Sequence, residues 1–391
     1  AWVKRLAPNP GLSVTFTHLN VASAFSGHFG VTRPELLAEA AAARAERALA
    51  ITDRNGLYGS VKHIGACLKL GINPIVGVSL AILDESDSPL ARCVVLAHGG
   101  DGGIGWSALC RVVSAANTTK RKEAGIRLSE LSKLIHRDGL TVATVLLGPD
   151  SDFGRSVLSE DRRQSAGLLI NWLRALPGKG ALAVEIVTHL TKPGLPYSLT
   201  QTRRMLQLAD NLGVPTVLTN AVRYLEPDDA ITADVLDAAR HLEPLGSFEP
   251  QPNAQAWLKP AKLMHKLALE ITEDKTRAKK LLDTTELLAN RCELNPEQDC
   301  GWGKPKTPEK ALLGIDGNPF EVLWQKAHAA IDWRYPQAPE KKLIEVRHRL
   351  SKELITINKL GFATYFLTVA DVAQMIRDMR IRIAARGSGA G

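Results

Sequence analysis

Ala48-Leu49-Ala50-Ile51-Thr52-Asp53-Arg54-Asn55-Gly56 is an apolar run with no polar alternation, ending in Asp-Arg and a turn pair. Such a run, bounded by turn chemistry, reads as a strand buried on both faces. An Ala/Glu/Arg-rich helix over 33–47, opened by Thr32-Arg33-Pro34, precedes it, and a helix over 57–70, stopped by Gly71, follows. The same texture extends outward. Residues 72–78, 93–97, 140–147, 182–187 and 216–219 read as strands, with helices over 106–116, 165–176 and 199–212, and Ser13–Phe16 is a further β-rich stretch. Buried strands separated by helices imply parallel βα units, about seven of them, which fit a closed α/β barrel better than an open sheet. In such a barrel the C-terminal strand ends carry the site, which directs attention to residues 17–23, 53–55, 79 and 220–223.

Beyond residue 240 the texture changes. Pro244, Gly246, Pro250 and Pro252 make a loop, and helices are expected over 262–269 and 275–291. A Gly/Pro-rich stretch runs from Pro296 to Pro319, and amphipathic helices follow over 320–331, 340–360 and 364–378. Ile381-Arg382-Ile383-Ala384-Ala385 reads as a short strand entering Arg386-Gly387-Ser388-Gly389-Ala390-Gly391.

Of the 391 residues, 49 are Lys or Arg and 41 Asp or Glu, a net +8 that suits an acidic partner and excludes collagen-like or disordered composition. From Lys259 onward, 23 basic residues against 17 acidic ones hold about +6 of that charge. The run Lys341, Lys342, Arg347, Arg349, Lys352 and Lys359 could track phosphates, and serves equally as a solvated helix face. The five cysteines are scattered and never spaced C-x-x-C, which argues against a disulfide framework or a zinc ribbon and for a reducing, cytoplasmic setting. No apolar run is long enough for a membrane-spanning helix, so no membrane role is expected. The first residue is not Met and the last five form a glycine loop, so the chain is expected to be a piece of a longer protein.

The terminal glycine loop would let backbone N–H groups approach an anion, with Ser388 and Arg386 adding charge-assisted donors for a triphosphate. It does not follow P-loop spacing, and a flexible linker has the same composition. At the strand ends the residue types for a metal phosphoesterase are missing. Asp53 is the one acidic candidate there, and His18, His28, His98 and His189 stand singly, which suits core or surface packing better than metal ligation.

Several stretches together resemble the N-terminal part of bacterial C-family DNA polymerase III alpha subunits, nearest the actinobacterial error-prone or accessory paralogues. Phe16-Thr17-His18-Leu19-Asn20-Val21-Ala22-Ser23, Ala48 to Gly59, Gly71 to Gly77, Gly105 to Arg111 and Gly213 to Tyr224 resemble the PHP (polymerase and histidinol phosphatase) domain. Lys359-Leu360-Gly361-Phe362-Ala363-Thr364-Tyr365-Phe366, followed by Ile381 to Gly391, resembles the approach to the polymerase palm. The resemblance runs in order along nearly the whole chain. It implies a PHP barrel over 1–243, a helical or loop connection over 244–319, and the beginning of a nucleotidyltransferase-like palm over 320–391.

Carried onto this sequence, the metal-binding PHP motifs fall on Asn20 and Ala22, Asp53 and Arg54, Ser79, and Ala221 with Arg223. Less securely placed positions hold Phe29, Arg92 and Pro149. With so many ligands replaced, the resemblance implies a PHP scaffold that binds no metal and is catalytically silent. The palm's Gly-Ser signature maps onto Gly387 and Ser388, with Arg386 beside it, as contacts to dNTP phosphates. The Mg2+-binding aspartates of the family lie downstream of that loop, so the chain alone is expected to be inactive. Asp371 and Asp378 read as surface residues of the preceding helix. The parent reaction implied is template-directed nucleotidyl transfer on primer-template DNA, with a sliding clamp and other replisome or translesion proteins as further partners. The alternatives are a PHP-type metal-dependent phosphoesterase or exonuclease, and a non-catalytic replisome interaction module.

Overall fold

The computed structural model describes residues 15–118, 124–137, 139–159 and 161–384. The chain divides into two compact units, residues 1–302 and 303–391. Among the described residues of the first, nine strands are β1 (Ala48–Ile51), β2 (Asn73–Leu83), β3 (Pro89–Ala97), β4 (Ile126–Arg127), β5 (His136–Arg137), β6 (Leu140–Thr141), β7 (Ala143–Leu147), β8 (Leu182–Ile186) and β9 (Thr216–Leu218). The main sheet runs β1-β2-β3-β7-β8-β9, with β4 added beside β2, while β5 and β6 form a small ribbon.

Residues 18–22 join the two edges of this sheet. Ala50 and Thr52 donate backbone N–H groups to the carbonyls of His18 and Val21, and Val222 N–H donates to Asn20. Val21 and Val222 pair in parallel across the seam. The result is an α/β barrel whose staves are the six main strands and this extended segment. The Ser13–Phe16 strand expectation fails where it is described: Thr15 and Phe16 form no strand, and the ladder begins at His18.

The staves are not all parallel. β1/β2, β7/β8 and β8/β9 are parallel, but β3 runs antiparallel to both β2 and β7. The reason is the short link between β2 and β3. Asp84 Oδ1 takes the N–H groups of Ser86 and Ser88, and Asp87 adopts a positive φ of 61°, which closes a tight turn and leaves no room for a crossover helix.

Alternate residues of the staves point inward. Leu19, Ile75, Leu96, Leu146 and Val217 form one buried cluster there with Ala289 and Cys292 of helix Lys275–Cys292. That helix closes the barrel floor: Thr285 Oγ1 accepts from Leu218 N–H at 2.8 Å, and Glu286 takes both Thr17 N–H (2.8 Å) and Thr17 Oγ1 (3.1 Å). Residues 244–302 therefore pack with the first unit. Among its described residues the second unit packs three α-helices, Pro319–Arg334, Glu340–Lys359 and Ala363–Asp378, around Leu323, Leu354, Ala363 and Leu367. Ile381–Ala384 is not a strand: these residues are exposed, and among the described residues of this unit there is no strand for them to pair with.

Glu46, in the turn before β1, is buried with neither carboxylate oxygen hydrogen-bonded. Burial pushes its pKa up to about 8, aided by Glu286 and opposed by Arg44. Below the ordinary value of 4.5 the group is protonated in both states; between there and about 8 only the folded state keeps the proton. Stability therefore falls as pH rises through that window. Glu46→Gln removes this titration, so the variant gains about 3 kcal/mol on the wild type between pH 5 and 8; denaturant unfolding at the two pH values measures it, and an equal slope in both proteins refutes the assignment.

Candidate functional site

Above its apolar layer the inner face of the barrel turns polar, because the period of two carries each stave from a core residue to a different neighbour. Ala50 leads to Thr52, Ala183 to Glu185, Val217 to Thr219, and Leu146 to Gly148. β3 enters from the opposite end, so Leu96 and Val94 lead back to Arg92. Thr52, Glu185, Gly148 and Arg92 line a cavity of about 460 Å3 at the C-terminal ends of the parallel staves.

The positions singled out from the sequence converge here. Asn20, Ala22, Phe29, Arg54, Ser79, Arg92, Pro149, Ala221 and Arg223 all line the cavity. Asp53 lies beneath it and turns inward: its Oδ1 accepts from Ser23 N–H (2.7 Å), Ser23 Oγ (3.0 Å) and Ser26 Oγ (2.7 Å). Burial raises its pKa and the serine bonds oppose that rise. Asp53 thus pins the loop after residue 22, the role of a loop cap. Arg386, Gly387 and Ser388 lie outside the described residues.

The cavity floor is a small hydrogen-bonded layer. Thr52 Oγ1 donates to Asn20 Oδ1 at 2.9 Å, Asn20 Nδ2 donates to Glu185 Oε1 at 2.7 Å, and Thr219 Oγ1 donates to the same oxygen at 2.6 Å. Burial raises the Glu185 pKa, with these bonds pulling the other way. Gly148 sits close beside it, where a Cβ would lie 2.2 Å from Glu185 Oε2, so only glycine leaves that oxygen its place. Glu185 escaped the sequence reading, although a lone Glu inside the apolar run Ala181-Leu182-Ala183-Val184-Glu185-Ile186-Val187 was a visible signal.

The histidines hold packing roles. His189 Nε2 bonds the Asn220 carbonyl at 2.9 Å, and its ring stacks on Tyr197 with centroids 4.6 Å apart. His18 Nε2 bonds the Lys259 carbonyl at 2.8 Å. Burial brings both down to about 4, so each is neutral at pH 7 and its Nε2–H is the donor.

Cations dominate the rim. The Arg54 and Arg223 guanidinium carbons lie 3.5 and 4.0 Å from the Phe29 ring centroid, within cation–π range. Arg223 is also held by both Asp237 oxygens at 2.9 Å each, and Arg240 reaches the same carboxylate. Among the described residues, no three His, Cys, Asp or Glu side chains gather as a metal site requires. The donor chemistry agrees: an amide, two methyls, a hydroxyl, guanidinium groups and the single carboxylate of Asp53 occupy the ligand-equivalent positions; Asp53 is engaged by Ser23 and Ser26, and Glu185 Oε1 by Asn20 and Thr219. The residues present do not fit a metal centre.

Residues 18–189 match the PHP domain family, and residues 321–391 match the bacterial DNA polymerase III alpha NTPase domain family. A DNA polymerase III subunit alpha from Pseudomonas aeruginosa is 25% identical over 395 residues, covering 97% of this chain and 31% of the relative. An error-prone DNA polymerase from Symbiobacterium thermophilum is 29% identical over 389 residues, covering 96% and 33%. One from Mycolicibacterium paratuberculosis is 27% identical over 401 residues, covering 97% and 33%. Along nearly its whole length the chain is similar to DNA polymerase III alpha subunits and error-prone DNA polymerases. It spans about a third of the length of these curated relatives. Among solved structures, an amidohydrolase from Chromobacterium violaceum aligns at TM-score 0.36 and 15% identity over 54% of this chain and 87% of its own. A metal-dependent phosphoesterase from Bifidobacterium adolescentis, described as putative in its own naming, aligns at 0.32 and 13% over 53% and 87%. Residues from Asn20 to His189 in the lining of the cavity fall within the stretch that matches the PHP domain family.

In the second unit, the basic helix Glu340–Lys359 spends part of its charge internally. Lys342 pairs with Glu345 at 3.4 Å, Arg347 with Glu340 at 3.7 Å and Arg349 with Glu353 at 2.8 Å. Asp371 is exposed and pairs with Lys326 at 2.7 Å, and Asp378 is exposed and accepts from Gln374. No helix among the described residues is long and apolar enough to cross a membrane.

Proposed function

We propose that this chain is the N-terminal part of a DNA-directed DNA polymerase, with a PHP barrel that acts as a scaffold rather than a metal-dependent phosphoesterase. The carrying observation is the ordered succession of a PHP match over 18–189 and a polymerase III alpha match over 321–391. Primer-template DNA and dNTP are the substrates on this reading. Arg386, Gly387 and Ser388 contact the incoming phosphates, and Mg2+ is held by carboxylates beyond that loop. The sliding clamp and translesion proteins are the partner class. We assign the barrel to 1–243, its connection to 244–319 and the palm's beginning to 320–391. The error-prone standing carried by the names of several relatives is the finer reading, and misincorporation rates test it.

Two measurements test the proposal. In the longer protein, Ser388→Ala and Arg386→Ala each lower kcat/KM for dNTP about 10- to 100-fold in primer extension; unchanged values sink the phosphate role. Isothermal titration of this chain with zinc or manganese gives no stoichiometric binding, and phosphate-ester hydrolysis stays at the buffer rate. One tightly bound equivalent of metal, or metal-dependent turnover, overturns the scaffold reading.

A further inference from the structure

Two of the rim arginines lack a counter-charge. Arg223 is satisfied by Asp237, but no carboxylate lies within ion-pair distance of Arg54 or Arg92 among the described residues. Among the described residues no hydrogen bond of the Arg54 guanidinium is seen, and its guanidinium carbon lies 3.5 Å from the Phe29 ring centroid. Arg92 donates only to neutral acceptors: Ser79 O at 3.0 Å, Ser79 Oγ at 3.3 Å, and Asn55 Oδ1 at 3.3 and 3.4 Å. Both line the barrel cavity, and both line an outer cleft that also contains Arg155. The carboxylate shared by the two spaces is Asp150, whose Oδ2 is already taken by the Tyr197 hydroxyl at 2.8 Å.

Partly buried guanidinium groups without a partner are costly, and that cost is recovered when an anion arrives. Burial, then the neighbouring Arg92 and Arg240, brings Arg54 down to about 9, so it is still a cation at neutral pH. Guanidinium forks match the oxygens of a tetrahedral oxyanion, and a partly desolvated setting strengthens each bond. The cavity volume of about 460 Å3 admits a group the size of a nucleotide.

We propose that the mouth of this PHP barrel is an oxyanion site in which Arg54 and Arg92 bind a phosphate group directly, without metal. The inference stands on the two arginines and does not depend on polymerase activity. The phosphate belongs either to a small phosphorylated molecule or to the 5′ end of a nucleic-acid strand, and the two share this chemistry.

The test is isothermal titration of the 391-residue chain with EDTA present. The probes are inorganic phosphate, a deoxynucleoside 5′-monophosphate, and a short oligonucleotide with either a 5′-phosphate or a 5′-hydroxyl. Saturable binding of the phosphate-bearing probes is expected. Arg54→Gln and Arg92→Gln should each weaken it about tenfold or more, while Arg54→Lys and Arg92→Lys, which keep the charge, retain part of it. Tighter binding of the 5′-phosphorylated oligonucleotide than of the monophosphate, with loss on the 5′-hydroxyl form, supports the site with a strand end as the source. The reverse order supports it with a small molecule. No binding of any probe at about 10 mM, binding that appears only in a parallel titration without EDTA, or affinity unchanged in folded Gln variants overturns it.

Discussion

Asp237→Ala is expected to lower the stability of the first unit by about 3–5 kcal/mol, the range for stranding one charge of a buried pair. Asp237 and Arg223 are each nearly buried, with 7% and 10% of their side-chain surface accessible, and two parallel N–H···O bonds join them. Arg223 then also holds Phe29 from two sides, through the ring and through its carbonyl at 3.1 Å. Removing the carboxylate leaves Arg223 and Arg240 facing each other beside Arg54. Burial alone would raise the Asp237 pKa, but the two arginines outweigh it and hold the carboxyl below its usual range. The pair's stabilisation is therefore present at neutral pH and is lost as acid carries the group through its folded pKa, below 3.8. Denaturant unfolding of the variant at pH 7 measures the loss. A double change of Arg223 and Asp237 to apolar residues of similar volume should recover much of it. A cost below about 1 kcal/mol for Asp237→Ala would show that the rim is not organised by this pair.

Asp53→Ala is the second large effect, about 2–4 kcal/mol, because it strands buried donors rather than removing one bond. Ser23 N–H, Ser23 Oγ and Ser26 Oγ all lose their acceptor, and Ser26 Oγ in turn supports Arg54 N–H at 3.0 Å. The loop has little freedom to rearrange, since Gly30 packs so closely that a Cβ there would lie 2.0 Å from Ser23 O. The expected signature is local as well as global: amide exchange of Ser23 and Arg54 accelerates more than that of β7 or β8. Asp53→Asn, which keeps one acceptor oxygen, should cost less. Equal costs for the two variants, or unchanged exchange at Ser23, would remove Asp53 from its role as the pin of this loop.

The sequence made the strand ends legible because they combine an abrupt change from apolar to polar residues with turn chemistry. Thr52-Asp53-Arg54 and Asn220-Ala221-Val222-Arg223 both reach the cavity rim that strand counting pointed to. Chain direction was less legible. An apolar strand buried on both faces has the same composition whether its neighbour is parallel or antiparallel, and only the brevity of Asp84 to Ser88 distinguishes the β2–β3 turn from a crossover. Glu185 was hidden for another reason. Its partners Asn20 and Thr219 are 165 and 34 residues away, so the layer they form exists only after the staves close. The expected strand at 381–385 shows the limit of propensity: Ile381 and Ile383 favour extended backbone, but a strand needs a neighbour to accept its hydrogen bonds.

The helix that seals the barrel floor also decides what can use the cavity above it. Ala289 and Cys292 fill the lower opening together with Leu19 and Val217, so among the described residues that end of the space is closed by apolar side chains. A nucleic-acid strand cannot be threaded out through that end, so what reaches the floor from above is a terminus or a free small molecule.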